Sequence, residues 1–153
     1  MLGLFISHLR QKYMLNTKLY KSVHTLAGKL MKAADNDDRA AFDSLYAELK
    51  ATCMDNENSE KDHPVQWETL ADFTEELDEA LAGYEKALAK AIAINAKDYM
   101  SSIAYSMATL QIELGQTEAA IKSLQEAKIN ANKIEDKVLK SEIHDLLESL
   151  LDS

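Results

Sequence analysis

Four histidines, one cysteine and several carboxylate pairs are the side chains of this 153-residue chain with the chemistry for catalysis or metal binding. Acid–base and nucleophilic catalysis need such groups within hydrogen-bond reach of one another, and metal binding needs them at ligand spacing. His8, His24, His63 and His144 stand far apart, with neither an H-x3-H nor an H-E-x2-H spacing among them. Cys53 lies between Thr52 and Met54 with no second cysteine anywhere, so it reads as a structural thiol rather than a nucleophile, and no internal disulfide is available. Asp62-His63 stands near Glu57 and Glu60, residue types that ligate metals, but the segment DNENSEKDHP around them consists of polar turn formers and reads as a solvated loop. Glu75-Glu76 belongs to a longer acidic face. Neither a P-loop nor a GxGxxG loop occurs. The expectation is a protein that is not an enzyme and uses no cofactor and no metal.

The charge distribution is more informative. Seventeen bases against 26 acids give a net charge of −9, which argues against nucleic acid as the main partner. Residues 1–34 carry Arg10, Lys12, Lys18, Lys21, Lys29 and Lys32 and no acid, whereas the remainder carries all 26 acids. Glu68, Asp72, Glu75, Glu76, Asp78 and Glu79 fall in a stretch without a base between Lys61 and Lys86. Such a bipolar chain is suited to selecting a charged partner or to head-to-tail self-association, so a homo-oligomer is an expectation to be tested. Leu2, Phe5, Ile6 and Leu9 form a short apolar run followed, not preceded, by bases, which is a poor secretory signal. Nothing approaches a membrane span. A single cysteine fits a reducing compartment, and the expected location is cytoplasmic.

The elements that must position these residues are helical. Four glycines and one proline leave little room for the turns of a β-sandwich. Apolar residues recur at helical spacing, as in Leu19, Val23, Leu26, Leu30 and in Val138, Leu139, Ile143, Leu146, Leu150. Asp37 or Asp38 is an expected N-cap for a helix ending near Cys53 or Met54, Pro64 suits the first turn of the next helix, Asp98 is an expected N-cap, and Gly115 is an expected helix stop. No glycine or proline marks the break expected between residues 65 and 82. The predicted organisation is a short N-terminal extension or helix over 1–15 and one helical domain over 16–153, with helix pairs at about 17–56, 64–96 and 98–131, a turn at Asn130 to Lys133 and a last helix over 135–152.

A repeat underlies these pairs. Ala40, Ala80 and Ala120 are 40 residues apart, as are Ala47, Ala87 and Ala127. In residues 100–131, Met107-Ala108, Leu114-Gly115 and then Ala120, Leu124 and Ala127 follow the pattern of the two helices of a tetratricopeptide repeat (TPR), and the chain resembles that family over roughly residues 17–131. The middle copy has Ala80, Tyr84 and Ala87, and ends in I-N-A-K-D, similar to the family's inter-repeat turn. The first has Ala27-Gly28, Met31, Ala40 and Ala47. The period of 40 instead of 34, the absent turn proline and Glu68 in place of a small residue depart from the family. A three-residue shift puts Trp67, Leu70 and Ala71 in register instead.

The resemblance implies an all-α, right-handed superhelix of about three helix pairs with a C-terminal capping helix, in which the first helix of each pair lines a concave groove. It implies groove positions at Lys29 and Lys32 in the first pair, Val65, Thr69, Asp72 and Phe73 in the second, and Ser102, Tyr105, Thr109, Ile112 and Glu113 in the third. The implied function is a non-enzymatic adaptor that binds a segment of another protein. Asp72 and Glu113 favour a segment carrying Lys or Arg with apolar residues. Residues 98–114 hold no Lys or Arg, so a clamp for C-terminal carboxylates is not expected. The alternatives are a small acidic cytoplasmic TPR-type chaperone for secretion substrates and a self-assembling structural protein.

Overall fold

A computed structural model describes residues 17–153. The predicted extension over residues 1–15, with Leu2, Phe5, Ile6, His8 and Leu9, lies outside the described residues. Within them the chain is all-helical: α1 Thr17–Asp35, α2 Arg39–Asn56, α3 Pro64–Asp72, α4 Leu77–Ala93, α5 Lys97–Glu113, α6 Thr117–Ala131 and α7 Lys137–Leu151. No strand occurs among the described residues.

Local chemistry accounts for most of the boundaries. The Asp38 carboxylate accepts from the Ala41 N–H at 3.1 Å, and the Asp136 carboxylate from the Leu139 N–H at 3.0 Å, each satisfying an orphan donor of the first turn. Pro64 opens α3, and the Nδ1 of His63 accepts from the Val65 N–H at 3.1 Å. Asp37, Asn95 and Gly115 have φ of 54°, 52° and 77°, so α1, α4 and α5 each run into a left-handed residue.

Three expectations are corrected, and one expected break is located. The N-cap of α5 is Ala96, and Asp98 sits inside the first turn, where its charge still complements the helix N-terminus. α2 continues past Met54 to Asn56, α6 runs to Ala131, and the last helix starts at Lys137 rather than Glu135. The break between residues 65 and 82 falls at Phe73–Glu76. It needs no glycine because the Thr74 hydroxyl turns back to the Leu70 carbonyl at 2.8 Å and pairs with the Tyr46 hydroxyl at 2.7 Å. The third correction concerns phase. Ala40 and Ala47 are exposed, and α2 buries Phe42, Leu49 and Cys53 instead. Those three match Ala80, Ala87 and Ala91 of α4, and Ala120, Ala127 and Ala131 of α6, at the same intervals along each helix. The first helix pair therefore uses large residues where the other two use alanine.

Each helix packs on the next, and α3 also touches α1 and α5. Alanine at the contact points lets backbones approach closely; a Cβ added at Gly83 would lie 3.1 Å from the Ala71 Cβ, so α3 and α4 meet without space to spare. Two apolar clusters result. One joins α1 to α5 around Leu30, Leu49, Tyr84, Tyr99 and Ile103; the other joins α5, α6 and α7 around Ala108, Leu124, Leu139 and Ile143. α5 serves both, with Tyr99, Ile103, Met107 and Leu110 on one side and Ala104 and Ala108 on the other. Alternation of the helices brings acids from separate segments together at one end. The end of α1, the start of α2 and the α3–α4 turn lie together, as the Phe42–Phe73 ring contact and the Arg39–Glu75 pair at 2.7 Å require. Asp37, Asp38, Glu75, Glu76, Asp78 and Glu79 gather there.

Candidate functional site

The residues expected to line a groove lie on α1, α3 and α5. On α5, Tyr105, Thr109 and Ile112 are half-buried and Glu113 is exposed. Tyr105 and Ile112 rest on the cluster shared with α6 and α7. The Tyr105 hydroxyl faces acids of α7: burial, then the charges of Glu142 and Asp145, push its pKa up. Glu142 is itself raised by burial and by Asp136. This part of the surface therefore holds an amphipathic ring in a field of negative charge.

Thr69 and Ser102 are buried, and their hydroxyls serve internal bonds. Thr69 donates to the Val65 carbonyl at 2.7 Å, and Ser102 donates to the carboxylate of Glu68 at 2.8 Å. That second bond explains Glu68, only 5% exposed where the repeat pattern has a small residue: the carboxylate crosses the α3–α5 seam to a hydroxyl 34 residues away. Asp72 is half-buried and accepts from the Tyr84 hydroxyl. Burial, followed by the charge of Asp72, holds that phenol well above its ordinary pKa. Val65 and Phe73 are buried core residues. Lys29 and Lys32 are exposed on α1. The structure thus brings Tyr105, Thr109, Ile112 and Glu113 onto one helix beside the acids of α7, with Asp72 on α3, while Thr69 and Ser102 fasten the helices beneath.

Asp62, His63 and Cys53 make internal contacts. Asp62 accepts from the Trp67 indole N–H at 2.7 Å, the Gln66 amide at 3.1 Å and the Asn58 N–H at 2.7 Å, and pairs with Lys90 at 2.7 Å. Burial alone would raise its pKa, but the Lys90 ammonium and the donated hydrogen bonds outweigh it and hold the group at about 2. Lys86 lies over the Trp67 ring, 4.1 Å from its centroid, and pairs with Glu57 at 2.5 Å. The loop over 57–63 is thereby latched to α4. The His63 ring stands edge-on to Tyr99 with centroids 5.0 Å apart. Cys53 is fully buried, donates to the Gln66 carbonyl at 3.3 Å, and is pushed up to about 12, chiefly by burial. Among the described residues no group of three or more His, Cys, Asp or Glu is arranged to hold a metal, and no helix is long and apolar enough to cross a membrane.

Sequence reasoning missed two features. The Asp62 latch was visible only as Asp62 four and five residues before Gln66 and Trp67, with Lys86 and Lys90 one turn apart. An apolar groove on the opposite flank, between α4 and α6, is lined by Leu88, Ile92, Met100, Ala104 and Ile129. Ile92 is 54% and Ile129 64% exposed there, and excess apolar residues at Ile92, Ile94 and Ile129 were its only sequence signal. Comparison with known protein families, curated proteins and solved structures gives no match to this chain.

Proposed function

We propose that this protein is a small TPR-like adaptor, a right-handed stack of three helix pairs closed by α7, that binds a segment of another protein across the face of α1, α3 and α5. The observation that carries the reading is Tyr105, half-buried on α5 with Glu142 and Asp145 bearing on its hydroxyl. A rigid ring with a polar tip in a negative field suits a segment that alternates Lys or Arg with apolar residues. Contacts between α1 and α3 and between α3 and α5, beside those of each helix with the next, support the stacked arrangement. The reading is non-enzymatic, and it places the protein in the cytoplasm.

The test is titration of a synthetic peptide alternating Leu and Lys into the wild-type chain and into Tyr105→Ala/Glu113→Lys. Saturable binding to the wild type, weakened at least about tenfold in the double variant, is the expected result, since an interface aromatic and a charge reversal together exceed 1.4 kcal/mol. Equal binding by both chains moves the site to another surface.

A second reading, self-association, is favoured by the uneven charge of the chain: residues 1–34 carry six bases and no acid, whereas six acids gather at the α1–α2 and α3–α4 turns. Light scattering from low to high salt decides it. A mass that falls as salt rises supports head-to-tail association. A constant monomer mass removes it.

A further inference from the structure

The flank formed by α4, α5 and α6 leaves apolar side chains uncovered. α5 packs on both α4 and α6, and its Met100 and Ala104 lie at the bottom of the groove between them. Leu88 and Ile92 of α4 make one wall and Ile129 of α6 the other, and both isoleucines are more than half exposed. The charges beside Ile129 say what can cover it. On the outer stripe of α6, Glu126 stands three residues before Ile129, and Lys133 stands four after it. Lys133 lies just past the end of α6, but Asn132 keeps a helical backbone and the Lys133 N–H bonds back to the Asn130 carbonyl at 3.1 Å, so the stripe continues. Both charged residues are exposed. Let two α6 helices run antiparallel about an axis at Ile129. Glu126 of one copy then lies about 4.5 Å from the axis along the helix, and Lys133 of the other about 6 Å from it on the same side. The match is made twice, as a two-fold contact requires. We infer that the α4–α6 groove docks a second copy of this chain, two-fold about an axis close to Ile129, so that Ile92 and Ile129 of each copy cover the groove of the other. Asp98 and Glu135 line a cavity with Lys133 in its own chain, so the acid of the second copy sets register more than affinity. The surface is two helices wide, small for a specific interface, and the pairing is therefore weak and concentration-dependent. The groove shares no residue with the positions named for a partner on α1, α3 and α5.

The experiment is sedimentation equilibrium of the full chain from about 10 μM to about 500 μM, the range in which small contacts associate. The expected result is a mass that rises toward two protomers and no further, with Ile129→Glu remaining at one protomer throughout. Ile129 is 64% exposed, so its replacement leaves the fold intact, which an unchanged circular dichroism spectrum and unfolding midpoint check. Glu126→Lys or Lys133→Glu alone weakens association at least about threefold, because each sets like charges opposite one another, and Glu126→Lys/Lys133→Glu together restores it. A single-protomer mass at every concentration overturns the inference. So does a dimer that Ile129→Glu leaves unchanged, and so does a mass that grows past two protomers, which an open head-to-tail assembly gives. Single reversals that weaken the dimer, with a double variant that stays equally weak, overturn the pairing of Glu126 with Lys133 and with it the two-fold arrangement.

Discussion

Cys53 and Asp62 show how far a chemically capable residue can be from doing chemistry. A thiol held at about 12 is neutral at physiological pH, and its Sγ–H is engaged by Gln66. Cys53 should therefore resist a thiol reagent at pH 8 in the folded chain and react only in denaturant, which a colorimetric thiol assay reads directly. Asp62 makes the opposite case, an acid kept ionised. Its folded pKa of about 2 lies below the ordinary 3.8, so its contribution to stability is complete above about pH 4 and is lost as pH falls toward 2. Trp67 is the only tryptophan and bonds to this carboxylate, so its fluorescence in an acid titration reports the loss. Asp62→Ala should cost about 1–3 kcal/mol in denaturant unfolding, because it leaves the indole N–H without its acceptor and Lys90 without its counter-charge. Gly115, at φ 77°, makes a third case: a side chain at Gly115→Ala meets no atom within 4 Å, so a loss on the order of 1 kcal/mol would come from the backbone alone.

At the scale of the helices, the legible parts were those written locally. Asp38, Pro64 and Gly115 act within a few residues of where they stand, and their effect on α2, α3 and the end of α5 could be read from those residues alone. The α3–α4 turn could not, because Thr74 is held by Tyr46, 28 residues away. Glu68 failed as a repeat residue for the same reason, its partner Ser102 being 34 residues distant. The phase of α2 was misread because evenly spaced alanines are common in helices, and burial, which spacing does not reveal, decides which of them matter. Overpacking tests this directly. Ala120→Leu, at a position with no exposure, should cost roughly 1–3 kcal/mol, whereas Ala40→Leu, on an exposed face, should stay within about 0.5 kcal/mol. A large loss at Ala40 would mean that the first pair packs in the same phase as the others.

For the molecule as a whole, composition indicated an all-helical chain, and helix order followed from hydrophobic period. The face proposed to bind a partner was legible only in part. Tyr105 and Glu113 were named from their place on α5, but Glu142 and Asp145, which give Tyr105 its negative surroundings, belong to a helix that the sequence presents merely as a cap. The α4–α6 groove needed the three-dimensional arrangement, since its walls lie about forty residues apart in the chain.

α5 belongs to both apolar clusters, and every other helix to one. In hydrogen-exchange terms, α6 and α7 are then able to open as one unit and α1 to α4 as another, but no partial opening frees the central amides of α5 without dismantling both. Those amides should be the slowest to exchange in the chain, near Ile103 and Ala108, and their exchange should measure global unfolding. A face built on that helix offers a ligand the most rigid surface the molecule possesses, so little ordering entropy remains to be lost when something settles on it.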